Sequence, residues 1–320
     1  MNPKMRVLVA GGAGYIGGAV TDVLTRRSIP FTVYDSLVYE HQYLKPVDFI
    51  SGDIRDTEKL GKLLPHYTHV IWLAALVGDG ACQVNPALTI EINQKPVEWL
   101  ATHYNGRIIF TSTCSVYGKN NGELDESTPP NPLSLYAITK VAGEKALEGK
   151  NALSIRLGTV YGMSDTYSRL RMDLVVNYMT ANALEKKKLS VFGGEQWRPL
   201  IHVRNVAEAL VNALDSTETG VFNVAYKNYQ MRDLGKEVAE LTGAQIEYVD
   251  IQFQDQRNYH VSTKKAETAG LLKFEKTYSI KDGSQQIADA ITSGRIKYTE
   301  NDIYFNVRHV ANLEKNGGLK

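Results

Sequence analysis

The sequence predicts an α/β protein: a doubly wound parallel sheet in the N-terminal half and a smaller α/β domain built from the C-terminal half. Three observations predict it. Strand-like and helix-like segments alternate from residue 6 to residue 157. Several of the strand segments are apolar throughout instead of alternating with polar residues, the pattern of strands covered by helices on both faces. The first strand runs straight into a glycine-rich turn that opens a helix.

In chain order, residues 6–10 form the first strand and residues 16–27 the first helix. Strands follow at 31–35 and 48–52, a helix at 57–64, a strand at 69–73 and a long helix at 89–104. A strand at 107–112, a helix at 134–147 and a strand at 153–157 complete the regular part. Past about residue 162 the alternation fades into a helix at 170–187, a short strand at 189–192, a helix at 203–214, a strand at 221–224 and a helix at 231–242. The boundaries expected are a first domain over 1–162 with a returning segment at about 199–226, and a second over 163–198 and 227–320. Two such domains leave a cleft over the strand ends, where open α/β sheets bind ligands.

Composition narrows the function. A formal net charge of +1 over 320 residues argues against an electrostatic grip on nucleic acid or a membrane surface, and the run Glu185-Lys186-Lys187-Lys188 reads as a solvated helix end. Cys82 and Cys114 are the only cysteines, which fits a reducing compartment. Glycines interrupt the apolar start, so it reads as a strand and not a signal peptide. The later run Val70 to Val77 is too short to span a bilayer. A cytoplasmic protein is expected. His66 and His69 have too few companions for a metal site, and no metal is expected.

The turn after the first strand carries Gly11, Gly14 and Gly17. Glycines there let the backbone turn sharply, approach a pyrophosphate and start a tightly packed helix whose N-terminal amides face the phosphate charge. Asp35 ends the second strand, eighteen residues after Gly17. A carboxylate there accepts hydrogen bonds from ribose hydroxyls and repels a 2′-phosphate, so the pocket suits NAD over NADP. Further on, Tyr136 and Lys140 lie four apart on one helical face. The cation can stabilise a phenolate and lower the phenol's pKa toward neutrality, so that Tyr136 can take a proton from an alcohol. Thr113, at the end of the preceding strand, can hydrogen-bond the same substrate oxygen.

With Gly52-Asp53-Ile54, Leu73-Ala74-Ala75, the run Thr111 to Gly118 and the run Arg198 to Arg204, these residues identify a resemblance. From Val7 to about Leu272 the chain is similar to the extended short-chain dehydrogenases/reductases of the NAD-dependent nucleotide-sugar epimerase/dehydratase family, of the UDP-glucose 4-epimerase kind. The resemblance implies a Rossmann-type first domain, a nucleotide-sugar-binding second domain and NAD as cofactor. It implies that Tyr15 and Ile16 join the glycines at the cofactor, Asp53 and Ile54 flank the adenine, Ala74 and Ala75 line the cofactor, and Asn93 lies near the nicotinamide. Lys140 gains a contact to the nicotinamide ribose, while Thr113 and Tyr136 hold the sugar hydroxyl being oxidised. Asn177, Val191, Phe192, Arg198 and Arg257 match positions that hold the diphosphate and base of the activated sugar, a task for which arginine's paired donors suit. His202 is expected to be structural. A homodimer pairing the helices at 89–104 and 134–147 is implied too.

One departure narrows the reaction. Sugar 4,6-dehydratases of the family carry Asp-Glu after the threonine, and a related decarboxylase pattern keeps the glutamate, whereas this chain has Cys114-Ser115. Cys114 is expected to be a buried, inert thiol. What remains is reversible oxidation of a sugar hydroxyl, at C4: an epimerase, or a dehydrogenase that releases the keto sugar. The segments 169–177 and 255–262 resemble a subgroup that includes GDP-heptose 4-dehydrogenases. A non-catalytic NAD-binding protein on the same fold is the third reading.

Overall fold

The computed structural model describes residues 4–40, 42–249 and 258–319. The continuous apolar runs become parallel strands: β1 (Val7–Ala10), β2 (Phe31–Asp35), β3 (Phe49–Ser51), β4 (His69–Trp72) and β5 (Arg107–Thr113), then Ala152–Leu157 and Gly220–Val224. Their spatial order is Gly220–Val224, Ala152–Leu157, β5, β4, β1, β2, β3, with each neighbouring pair parallel. Side chains of a strand point alternately to opposite faces. Val7 and Val9 therefore join one core, with the helices Tyr15–Arg26 and Val203–Asn212, while Leu8 and Ala10 join a second with Trp72 and Leu100. Both faces are covered, which is why the sequence shows no polar alternation there. The strand order reverses on either side of β1, and the crevice beyond the carboxyl ends of β1 and β4 is where this architecture binds ligands.

Two expected helices differ. The helix expected at 89–104 is two, Pro86–Asn93 and Lys95–His103, and a further short helix, Asp79–Val84, precedes them. Pro86 and Pro96 sit in first turns, where a missing N–H costs nothing, and Asn85 before Pro86 is extended (φ −139°, ψ 92°), as the residue preceding proline prefers. The helix expected from 170 begins at Val175, after an extended Leu174 (φ −84°, ψ 133°).

The smaller region holds elements the sequence did not announce. Trp197–His202 lies between Thr159–Tyr161, parallel, and Lys227–Gln230, antiparallel. Gln245–Val249 pairs with Lys188–Phe192, the short strand expected at 189–192, and Asn258–Val261 pairs with Lys119–Leu124. Of the segment expected to return to the first domain, Gly220–Val224 rejoins the central sheet and Val203–Asn212 packs on the helix Tyr15–Arg26, whereas Trp197–His202 stays with the smaller sheet. Helices Ile280–Thr292 and Asn306–Lys315 follow. Among the described residues no helix is long and apolar enough to cross a membrane.

One buried ion pair fixes the helix Leu135–Ala146 on the sheet. Arg156 donates from Nε and Nη2 to the two Glu144 oxygens (2.9 and 2.7 Å), and Glu144 also accepts from Ser112 at the end of β5. Both side chains are nearly inaccessible, at 4% and 6% exposed, so removing one partner strands a charge. Arg156→Met is expected to lower unfolding stability by about 3–5 kcal/mol in a urea titration; a change below about 1 kcal/mol would show that the pair does not hold the helix.

Candidate active site

The glycine turn is shaped by close approach. Gly11 has φ +81°, and a Cβ there would stand 2.5 Å from the Ala74 amide nitrogen; at Gly17 it would stand 2.4 Å from the Gly12 oxygen. The first contact brings β1 against the loop after β4, and the second seats the helix Tyr15–Arg26 on its own turn. Gly14 is the N-cap and offers no side chain to the first-turn amides, which stay available to an anion. Asp35 accepts from the Ala13 amide (3.0 Å) and the Leu37 amide (2.8 Å). Burial pushes its carboxyl up and those amides pull it back.

The resulting cleft encloses about 560 Å³, and Gly11, Gly14, Tyr15, Ile16, Gly17, Asp35, Asp53, Ile54, Ala74 and Ala75 all line it. Arg55 grips Asp53 through Nε and Nη2 (2.6–3.1 Å). Burial opposes the ionised form of Asp53, but these bonds outweigh it and hold the carboxyl below its ordinary value. Asn93 is different. Its amide is fully engaged with Leu76, accepting from N at 2.8 Å and donating to O at 2.9 Å. It braces the wall of the cleft and is not among the residues lining it.

A second cleft, of about 660 Å³, is lined by Thr113, Tyr136, Lys140, Val191, Phe192 and Arg198. Tyr15, Ile16, Leu73, Val77, Arg171 and Asn306 line both clefts, so a ligand in one meets a ligand in the other across a common boundary. Thr113 ends β5, and its hydroxyl accepts from the Ser115 amide (3.1 Å). Ser134 caps the next helix by accepting from the Ala137 amide, which sets Tyr136 in the first turn. Lys140 is 2% exposed. Its Nζ donates to the Thr111 oxygen (2.8 Å) and lies 4.8 Å from the centre of the Phe110 ring and 5.9 Å from that of Tyr136.

Burial moves Tyr136 and Lys140 from their ordinary values. Burial raises the Tyr136 phenol above its ordinary pKa, with Cys82 and Asp79 adding to the rise and Arg171 opposing it. Burial also pushes Lys140 down to about 8. Desolvation is the largest influence on both groups, and the ammonium donates to a backbone carbonyl.

The remaining candidates divide. Arg198 lines the second cleft, donates to the Trp197 oxygen (2.9 Å) and packs over Tyr259 at 5.5 Å. Asn177 faces inward, accepting from the Gly162 amide (2.8 Å) and donating to the Arg171 oxygen (2.8 Å), so it positions Arg171 instead of lining the cleft. Arg257 lies outside the described residues. His202 accepts from the Arg204 amide and meets Gln286 at 2.9 Å, and burial pushes its pKa down to about 4; it is a neutral structural group. Cys114 is a free, buried thiol donating to the Arg156 oxygen (3.3 Å), its pKa raised by burial. Sequence reasoning missed Asp79, Tyr259, Asn306 and Gly317 to Leu319, all of which line one cleft or both. Only the second segment flagged by resemblance, at 255–262, pointed at one of them, Tyr259.

The family model described as the NAD dependent epimerase/dehydratase family matches residues 7–225. The chain belongs to that family. A UDP-glucose epimerase of Bacillus subtilis, described as uncharacterised, is 26% identical over 309 residues, covering 87% of this chain and 95% of that protein. The UDP-glucose 4-epimerase of Thermus thermophilus, solved with NAD, superposes with a TM-score of 0.75 at 26% identity, over 90% of this chain and 100% of that one. The UDP-glucose 4-epimerase of Thermotoga maritima, solved with UDP-glucose, gives 0.77 at 25% identity, over 91% and 100%. As a member of the NAD-dependent epimerase/dehydratase family the protein is an enzyme, NAD is its cofactor, and the cleft built on the glycine turn fits that dinucleotide.

The carboxylate of Asp35 lines that cleft and is expected to disfavour a 2′-phosphate. Calorimetry is expected to show NAD binding roughly tenfold or more tighter than NADP, since a 2′-phosphate meets a like charge. Equal affinities would overturn the argument.

Proposed function

We propose that the protein is a nucleotide-diphosphate-sugar 4-epimerase, with a UDP-sugar as the substrate suggested by its relatives. The observation that carries this reading is the placement of Thr113, Tyr136 and Lys140 on the wall of a cleft that shares a boundary with the NAD cleft. Arg198, on the wall of the same cleft, would supply a fork for the diphosphate. Bound NAD supplies a hydride acceptor. Tyr136 takes the proton of the sugar hydroxyl, Thr113 holds its oxygen, and Lys140 balances the phenolate that forms. Return of hydride to the opposite face, with Tyr136 giving the proton back, inverts the carbon.

Elimination of water has no support in this site. Cys114, where a dehydratase carries an acid, points away to the Arg156 oxygen with its thiol pKa raised, and Ser115 lies 3.4 Å from the Tyr259 hydroxyl. The second reading is a 4-dehydrogenase, favoured by the sequence segment 169–177, which contributes Arg171 and Asp173 to the substrate cleft. A cytoplasmic homodimer completes the proposal; Leu133 and Ile138, beside and on the helix Leu135–Ala146, are 55% and 48% exposed, as an interface on that helix requires.

Two measurements test the proposal. Tyr136→Phe is expected to lower kcat by roughly two to four orders of magnitude while NAD affinity, read by calorimetry, stays within about twofold; near-normal turnover would remove Tyr136 as the base. With catalytic NAD and a panel of UDP- and GDP-sugars in deuterated water, the epimer should form to equilibrium without NADH accumulating and without label on carbon. Stoichiometric NADH with a keto sugar and no epimer would give the dehydrogenase instead.

A further inference from the structure

Arg169 and Arg171 line the cofactor cleft, and the proposed chemistry uses neither there. Their segment runs along the first turn of the helix Tyr15–Arg26. A Cβ on Gly18 would stand 2.5 Å from an Asp165 carboxylate oxygen and 2.7 Å from the Ser168 hydroxyl. Lys45 staples the two together, donating to the Gly18 oxygen (2.9 Å), the Thr21 hydroxyl (2.7 Å) and Asp165 (2.8 Å). The chain after Asp165 is thereby held beside the open amides of the glycine turn.

The two arginines differ in how their charge is met. Asp173 pairs with Arg171 through two bonds, at 2.6 and 3.1 Å. Arg169 donates only to neutral acceptors, the Ile303 oxygen (2.6 Å) and the Asn306 side chain, with its guanidinium 4.4 Å above the Tyr39 ring. The nearby Glu40 carboxylate accepts from the Arg169 backbone amide at 2.7 Å, and among the described residues no carboxylate forms an ion pair with the guanidinium. Burial, followed by Arg171, pushes Arg169 down to about 10, and Tyr39 with the Asp173 and Glu40 carboxylates only partly opposes the fall. A cation kept in such surroundings without an anion is costly. Arg169 lines only the cofactor cleft, whereas Arg171 and Arg198 also or instead line the substrate cleft, so the missing anion belongs to the dinucleotide and not to the sugar diphosphate.

We propose that Arg169 holds the pyrophosphate of the bound dinucleotide from the side across from the first-turn amides, closing a site that backbone N–H groups form on the other side. The inference rests on NAD as the cofactor and is independent of whether the product is an epimer or a keto sugar.

The test is calorimetry on the full chain with NAD, ADP-ribose and, at millimolar concentration, adenosine. Wild-type failure to bind NAD would sink the cofactor assignment itself, which separates that failure from the one at issue. Arg169→Gln is expected to weaken NAD and ADP-ribose by roughly 10- to 100-fold, the worth of a charge-assisted bond, to flatten their salt dependence, and to leave adenosine unchanged. Arg169→Lys, which keeps the charge but not the fork, should recover part of the loss. Unchanged NAD affinity in Arg169→Gln would overturn the proposal. So would an equal loss for adenosine, because that is the signature of an arginine serving only to anchor Ile303 and Asn306. If Arg169→Gln does not fold, Arg169→Lys decides alone: NAD weakened with adenosine intact supports the contact, and both weakened alike refutes it.

Discussion

The site depends on one buried ion pair. Glu144 is four residues beyond Lys140 on the helix whose first turn carries Tyr136, and Arg156 belongs to the strand beside β5. Their bonds, with Ser112 joined to the same carboxylate, fix the rotation and height of that helix against the sheet. The helix face carrying Tyr136 and Lys140 then has one place to go, next to Thr111 and Thr113 at the end of β5. Arg156 extends the network to the Tyr117 hydroxyl, and Tyr117 to Asn223 on the edge strand. A hydrophobic contact of the same area would allow the helix to slide; charges buried at this depth do not, because any displacement leaves a donor or acceptor unsatisfied.

The first half of the molecule was legible because its signals are local. An apolar run long enough for a strand, a glycine turn and a carboxylate at the next strand end all lie within the first thirty-five residues, and each has one structural use. The second half was less legible for a physical reason. Lys119–Leu124, Thr159–Tyr161 and Lys227–Gln230 are three to six residues long and exist because of partners far along the chain, so propensity says little about them. The helix Ile280–Thr292 did leave a mark in the sequence, a capping box between Ser279 and Asp282, which is a local signal of the same kind as the glycine turn. Asn93 and Asn177 show the other limit. Their positions match a binding pattern, but where an amide side chain points is decided by tertiary packing, and here both point at backbone.

The shared boundary of the two clefts makes hydride transfer geometrically possible, and the C-terminal helix helps to build it. Asn306 donates to the Val77 oxygen (2.7 Å), its amide donates to Asp173 (3.0 Å), and Arg169 donates to its side chain. Three loops that frame the clefts thus meet at one residue. His309 meets the Val38 oxygen (2.9 Å) beyond Asp35, and Val310 packs with Leu76, Cys82 and Leu88. The helix ties the walls together without being part of either sheet.

Burial shifts Tyr136 and Lys140 in opposite directions for one reason. A buried phenol and a buried ammonium each favour the neutral form, so Tyr136 keeps its proton and Lys140 holds its own weakly, at about 8. Neither change can be reversed by the other residue alone, since Lys140 is aimed at the Thr111 carbonyl. Positive charge brought beside the pair by a bound oxidised cofactor would stabilise a phenolate. A phenol held high by burial and an ammonium held low by the same cause are both answered by charge brought into the cleft beside them, so the pair is set to respond to a charged ligand.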